Sequence, residues 1–269
     1  MCLTEESTET LYLLGEERRI VGISGYTVRP PRARREKPRV SAFLSAKTEK
    51  ILELKPDLVI GFSDLQADIA RDLTKAGLNV LIFNQRSVQE ILDMILALSS
   101  LVGAAQKGTQ LIQELERGLQ QIRESAKAFP RRPRVYFEEW DEPMISGIRW
   151  VSELVEIAGG EDVFSAQSHS QAASGRIIAD PDLPIRKNPE LILGSWCGKK
   201  FRPERVAARP GWREIAAVRA GELHEIKSAD ILQPGPAALT DGVRRIHSLL
   251  EGFFAKENGG ALPSLPCPA

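Results

Sequence analysis

The chain has 269 residues, and its 36 Lys and Arg balance its 36 Asp and Glu, so the formal net charge is zero. Without a basic excess there is little long-range attraction for phosphate backbones, which argues against nucleic-acid binding. No apolar stretch approaches the roughly 20 residues that a membrane-spanning helix needs, which argues against membrane insertion.

The first half of the chain alternates predicted helices with short apolar strands. In chain order we predict a helix at 5–14, a strand at 20–23, a helix at 48–54, a strand at 58–62, a helix at 65–76 and a strand at 80–83. Continuous apolar strands separated by helices indicate a parallel sheet that helices cover on both faces.

Six basic residues and three prolines lie within residues 29–39. This composition is typical of a solvated loop. The alternative is that the basic run meets the anionic edge of a ligand.

Two amphipathic helices follow, at 87–102 and 106–128. The second is roughly 30 Å or more in length. The alternation then resumes, with a strand at 135–137, a helix at 149–158, a strand at 191–194, a short helix from Pro210, a strand at 223–226 and a helix at 237–254.

A repeated segment supports two similar halves. Residues 55–63 and 188–196 both contain a proline, an acidic residue, an apolar run and a glycine, at the same place within each half. We therefore predict an α/β fold of two lobes with parallel sheets joined by a long rigid helix. The predicted parts are an N-terminal lobe at 1–104, a linking helix at 105–130, a C-terminal lobe at 131–257 and a disordered tail at 258–269.

Ligands of open α/β sheets bind outside the carboxyl ends of the strands. Aromatic side chains recur at these ends, and they offer contact area to a flat ligand at low entropic cost. The alternative for each is that it anchors its loop into the core. The candidate ligand-binding residues are Tyr26, Phe43, Phe62, Ser63, Trp140, Trp196 and Cys197.

Cys197 precedes two lysines, which favour a thiolate. It is a candidate metal ligand or redox-sensitive thiol, and the alternative is an inert cysteine. His169, on a polar loop, is the second candidate metal ligand. Glu138 and Glu139 are adjacent in a predicted strand, so they point to opposite faces and make a poor acid–base pair.

Residues 4–15, 19–24, 51–60 and 157–164 resemble the iron-complex and cobalamin substrate-binding proteins of ABC importers, a family with the class III periplasmic-binding-protein fold. The resemblance covers about residues 3–250, and Lys-Pro-Asp-Leu-Val-Ile at 55–60 is fairly specific to it. It implies two Rossmann-like lobes, a rigid helical backbone and a ligand between the lobes. The chain is most similar to the branch that binds vitamin B12.

The resemblance also implies roles for particular residues. Tyr26, Phe43 and Phe62 match aromatic residues of the ligand cleft, and Trp140 lies in the matching stretch of the second lobe. Glu49 matches an acidic residue that docks on the permease, whereas residues 180–182 depart from the second docking pattern. The loop at 196–212 is not a usual element of the family.

We therefore expect a non-catalytic protein that binds a corrinoid, with cobalamin as the ligand, and has an ABC permease as a possible partner. The alternatives are a haem or ferric-siderophore binder, with Arg29, Arg149 and Arg176 as candidate anion contacts, or a metal or redox enzyme that uses Cys197. Because no signal peptide is visible, the expected location is the cytoplasm, or the periplasm if the N-terminus is truncated.

Overall fold

The computed structural model describes residues 1–257, which form two compact units. The N-terminal unit comprises Met1–Arg117 together with Gln233–Leu239. The C-terminal unit comprises Gly118–Leu232 and residues 240–257. The tail predicted at 258–269 lies outside the described residues.

The N-terminal unit alternates helices and strands, as its sequence pattern predicts. Its elements are α1 (Glu5–Leu13), β1 (Ile23–Ser24), α2 (Ala33–Glu36), β2 (Arg39–Ser41), α3 (Thr48–Glu53), β3 (Val59–Phe62), α4 (Ala67–Lys75), β4 (Val80–Phe83) and α5 (Val88–Leu101). The strand predicted at 20–23 is wrong in its bounds, since β1 begins only at Ile23. Helix α2 and strand β2 lie within or next to the basic run and were not predicted.

Residues 1–3 complete the sheet of this unit. Strand β1 pairs with β2 and β3 pairs with β4, all in parallel. Between these pairs, the Cys2 N–H donates to the Gly22 carbonyl at 3.0 Å and the Leu3 N–H donates to the Ile60 carbonyl at 2.8 Å. The first residues therefore act as a central strand, and α1 begins at its carboxyl end.

Helix ends in this unit follow local chemistry. Ser87 and Glu90 form a reciprocal capping box at the start of α5. Gly15 and Gly77 adopt positive φ values where α1 and α4 end. Thr4 stands at the N-cap of α1, but its hydroxyl bonds to the Glu6 side chain rather than to a backbone N–H.

Helix α6 (Ala105–Ala126) begins in the N-terminal unit and ends in the C-terminal unit. The remaining elements are β5 (Arg134–Asp141), β6 (Met144–Ser146), α7 (Arg149–Ile157), β7 (Glu161–Asp162), α8 (Ser165–Ser168), α9 (Leu183–Lys187), β8 (Leu191–Gly194), α10 (Pro203–Ala207), α11 (Ala216–Ala220), β9 (Leu223–Glu225), α12 (Ser228–Ile231) and α13 (Val243–Glu257). A π-helical turn at Ala238–Gly242 precedes α13.

The C-terminal sheet has the order β6-β5-β8-β9, with β7 also paired to β5. All pairings are parallel except that of β6 with β5. Strand β5 is much longer than the strand predicted at 135–137. The prediction was too short because the second half of β5 is polar and breaks the apolar pattern. These parallel sheets and their helices confirm the predicted α/β class.

The repeated segment has the same local backbone in both units. Lys55 and Asn188, which precede the two prolines of the repeat, have φ values of 46° and 45°. Non-glycine residues seldom adopt this left-handed conformation. The repeat therefore sets an equivalent entry into β3 and β8. Among residues 1–257, every helix is too short or too polar to cross a bilayer.

Candidate functional site

Tyr26 and Phe43 follow two paired strands of the N-terminal unit. The Gly25 N–H donates to the Ser41 carbonyl at 2.7 Å, which holds the ends of β1 and β2 together. Tyr26 is 59% exposed and Phe43 is half-buried. The structure therefore places both rings at the carboxyl edge of this sheet with surface available for a ligand.

Gln66, which sequence analysis missed, connects two predicted site residues. Its side-chain oxygen accepts the Phe62 N–H at 2.9 Å, and its amide nitrogen donates to the Phe43 carbonyl at 2.9 Å. The side chain is fully buried. An isolated glutamine at the start of a helix gives no sequence signal of this role.

Phe62 and Ser63 are less available than the sequence suggests. Phe62 is 8% exposed, and the Arg86 guanidinium lies over its ring, 4.7 Å from the centroid. Ser63 is buried, has a φ of 66° and accepts the Leu65 N–H at 3.2 Å through its hydroxyl. In this structure the Ser63 side chain caps the turn that leaves β3.

The first turn of α1 holds two buried carboxyl groups at the same sheet edge. Thr4 donates a hydrogen bond to one oxygen of Glu6 at 2.5 Å, while the other oxygen of Glu6 and one oxygen of Glu5 lack a hydrogen-bond partner. Burial and the neighbouring Glu6 and Glu9 raise the pKa of Glu5 to about 8. Burial raises the pKa of Glu6 to about 7. Both groups favour the neutral form at this edge.

In the C-terminal unit, Lys199 lies near two predicted aromatic residues. Its ammonium group is 4.0 Å from the Trp140 ring centroid and 5.1 Å from that of Trp196, and it forms an ion pair with Asp141. The half-buried Trp140 also donates its indole N–H to the Glu142 carbonyl at 2.9 Å. Part of the Trp140 ring therefore remains exposed to solvent at the end of β5.

Trp196, another of the predicted ligand-binding aromatics, is nearly fully buried in this structure. It is only 3% exposed, its ring packs edge-on against Phe201, and its indole N–H donates to Glu138 at 3.0 Å. The alternative weighed from the sequence, anchoring of the loop into the core, describes this residue. Its neighbour Cys197 is exposed.

Glu138 organises the loop that follows β8. The fully buried carboxylate accepts two hydrogen bonds from Arg209, at 2.6 and 2.9 Å, and one from the Tyr136 hydroxyl at 2.9 Å. Burial and the charge of Glu138 raise the pKa of Tyr136. Burial lowers the pKa of Arg209 and the bonds to Glu138 raise it, with a net rise. The loop at 196–212, which is not a usual element of the family, is therefore held to β5 by the ion pair between Arg209 and Glu138.

Glu139 points away from Glu138, as alternation along a strand requires. It pairs with the buried Arg176, whose guanidinium nitrogens lie 2.5 and 3.3 Å from its oxygens. Each glutamate thus has its own arginine, and the two carboxylates do not form a catalytic pair.

A cavity of about 290 Å³ lies at the carboxyl ends of β8 and β9, next to Cys197. It is lined by Trp196, Gly198, Lys199, Lys200, Glu225, Ile226, Lys227 and Ser228. His169 is exposed just after α8. Within residues 1–257, three or more His, Cys, Asp or Glu side chains nowhere gather as metal ligands, so the structure does not bring Cys197 and His169 into such a group.

The model of the periplasmic binding protein family matches residues 1–229. The chain belongs to this family. Across 93% of its length it is 26% identical to the vitamin B12-binding protein of Vibrio cholerae, of which the match covers 87%. It is 25% identical to the ABC transporter substrate-binding lipoprotein YvrC of Bacillus subtilis, over 91% of this chain and 77% of that protein.

A solved structure, S. aureus IsdE complexed with heme, has the same fold as this chain. The TM-score is 0.78 at 19% identity, covering 92% of this chain and 97% of that one. The comparisons confirm the predicted family and the prediction of a binding protein rather than an enzyme. The chain is a substrate-binding protein of the ABC-importer type, and the alternative of a redox enzyme that uses Cys197 gains no support.

The arginines considered for a siderophore all have acidic partners. Arg29 pairs with Glu9 at 2.8 Å, Arg149 pairs with Glu153 at 2.9 Å, and Arg176 pairs with Glu139. An anionic ligand would have to compete with these carboxylates.

Glu49, predicted to dock on a permease, is exposed in the first turn of α3. In the C-terminal unit, Asp180 forms an ion pair with Arg186 at 2.5 Å. Hydrogen bonds from the Arg186 side chain and from the Asp182 main-chain N–H lower the pKa of Asp180. Asp182 is exposed.

Proposed function

We propose that this chain binds a corrinoid, with cobalamin as the preferred ligand. The observation that carries the proposal is the similarity to the Vibrio cholerae vitamin B12-binding protein along nearly the whole chain. The exposed Tyr26 and the half-buried Phe43 and Trp140 supply flat apolar surface at strand ends, where α/β proteins bind ligands. Phe62, Ser63, Trp196 and Cys197 complete the proposed set, with the buried members acting mainly as supports.

The direct test is titration of the purified chain with cyanocobalamin and, separately, with hemin. We expect saturable binding of cyanocobalamin at one site per chain by calorimetry, with weaker binding of hemin. Serum albumin serves as the reference for non-specific binding. If this chain binds cyanocobalamin no more tightly than serum albumin does, the proposal is refuted. Tighter binding of hemin would instead favour haem, the second candidate, which the heme complex of the same fold suggests.

Two truncations test the proposed contacts. Tyr26→Ala and Trp140→Ala each remove an aromatic face, and we expect each to weaken cyanocobalamin binding by about tenfold or more. Leu13→Ala is the matched control, since Leu13 is 54% exposed at the end of α1 and outside the proposed set. Equal affinities for all three variants would show that these aromatics do not contact the ligand.

We further propose that an ABC permease is the partner and that Glu49 contributes to docking. In proteoliposomes containing the cognate permease and its ATPase, Glu49→Arg is expected to reduce stimulation of ATP hydrolysis while leaving ligand affinity unchanged. Glu53→Arg, an exposed change on the same short helix, is the control. Cytoplasmic or periplasmic location stays a prediction, which cell fractionation tests.

A further inference from the structure

A groove of about 680 Å³ lies on the N-terminal unit, between the basic run and the start of α3. Its charged lining consists of Arg34, Lys37, Arg39, Lys47 and Lys50. The other lining residues are Gly25, Pro38, Val40, Ser41, Ala42, Ser45 and Ala46. We call this feature the basic groove. It shares no residue with the proposed corrinoid contacts.

The charge of the basic groove is only partly balanced nearby, because Arg34 interacts electrostatically with Glu5. Among the described residues that line it there is no Asp or Glu. The nearest acidic side chains along the chain are Glu36, which accepts the Tyr12 hydroxyl at 2.7 Å, and Glu49, which is exposed outside the lining. In a chain with a net charge of zero, five cations have therefore been gathered on one concave surface.

Most of these cations are also uncommitted within the described part of the chain. Over residues 1–257, Lys37, Arg39 and Lys47 form no ion pair. Lys50 donates to the Arg39 carbonyl at 2.9 Å, which holds its ammonium beside the groove. Like charges held together in a concavity repel one another, and a bound anion relieves that repulsion.

We propose that the basic groove binds a small, multiply charged anion that carries phosphate or carboxylate groups. Its volume lies within the range of small-molecule sites. A singly charged ion would leave most of the five cations uncompensated. Lysine and arginine side chains donate charge-assisted hydrogen bonds to phosphate and carboxylate oxygens, which supplies the recognition.

The test uses calorimetric titration with sodium tripolyphosphate and with citrate at low salt. We expect at least one of them to bind with a Kd below about 1 mM, and binding to weaken steeply as NaCl is raised. The tighter probe identifies phosphate or carboxylate as the preferred group. Absence of binding by both anions would overturn the proposal.

A triple variant locates the site. Lys37→Gln, Arg39→Gln and Lys47→Gln together should weaken anion binding by about tenfold or more. The control triple variant replaces three exposed cations outside the groove, Arg18, Lys75 and Arg123, with glutamine, which changes the net charge equally. Equal weakening in both triple variants would overturn the proposal, because it would show a net-charge effect.

Both variants must retain the wild-type melting temperature within a few degrees. If the groove variant unfolds, the single changes Lys37→Gln and Lys47→Gln replace it, each with an expected loss of about threefold. These titrations contain no corrinoid, so failure of cobalamin binding would refute the proposed function and leave this result unchanged.

Discussion

Glu9 on α1 accepts the main-chain N–H of Ala237 at 3.0 Å, across 228 residues of sequence. The same carboxylate pairs with Arg29, and the nearby Gln85 donates to the Pro234 carbonyl at 2.9 Å. These bonds bring Gln233–Leu239 into the N-terminal unit. Unpaired buried backbone groups are costly, so Glu9 stabilises an otherwise irregular segment.

Glu9→Ala should therefore lower the free energy of unfolding by about 1–3 kcal/mol, because the hydrogen bond from the Ala237 N–H and the ion pair with Arg29 are lost. Urea unfolding followed by circular dichroism measures the change. Glu114→Ala, at an exposed position on α6, should change stability by less than about 0.5 kcal/mol. Equal stability of the two variants would contradict the role of Glu9.

Glu6→Gln should stabilise the protein at pH 8 but not at pH 4. The pKa of Glu6 is about 7 in the folded chain, above its ordinary value of 4.5. The folded state therefore retains the proton longer than the unfolded state, and stability falls as pH rises from about 4.5 to about 7. Removing the charge should raise the free energy of unfolding at pH 8 by roughly 3 kcal/mol at most.

Chemical denaturation at pH 4, 6 and 8 tests this pH dependence. Glu53→Gln, at an exposed position on α3, is the control, and its stability should follow that of the wild type at every pH. If the stability of Glu6→Gln ran parallel to the wild type over this range, Glu6 would not be the titrating group.

Arg209→Ala should lower the free energy of unfolding by about 3–5 kcal/mol, because it leaves the buried Glu138 carboxylate without its charge partner. Thermal unfolding measures the loss. The double variant Arg209→Met with Glu138→Gln should recover much of it. Arg71→Ala, which removes exposed ion pairs with Asp68 and Asp72, should cost less than about 1 kcal/mol. Similar losses from both arginines would argue against a special role for Glu138.

Gly194→Ala should destabilise the C-terminal unit by about 1–3 kcal/mol through overpacking. A Cβ atom at Gly194 would lie 1.9 Å from the Phe201 ring, which packs over the end of β8. Adding Phe201→Leu should restore part of the loss. Gly118→Ala, at an open position on α6, should instead stabilise by up to about 1 kcal/mol. If the melting temperatures of Gly194→Ala and Gly118→Ala changed in the same direction, the proposed packing of Phe201 against Gly194 would be refuted.

The apolar parallel strands could be predicted well from sequence. Strands β4 and β8 have the predicted bounds, because their side chains are apolar on both faces. Strand β5 could not be predicted in full, since Glu138, Glu139 and Asp141 interrupt its apolar pattern. Their partners, Arg209, Arg176 and Lys199, are 37 to 71 residues away in sequence.

The sequence by itself determined the alternation of helices and strands, the repeat that begins at Lys55 and Asn188, and the family. These features depend on local apolar periodicity and on short segments of chain. Only the tertiary structure decided that Trp196 is a core residue, that Glu6 is a buried acid and that five cations line one groove. Burial and charge balance depend on neighbours that are distant in sequence, so the same residue types have different roles once the chain is folded.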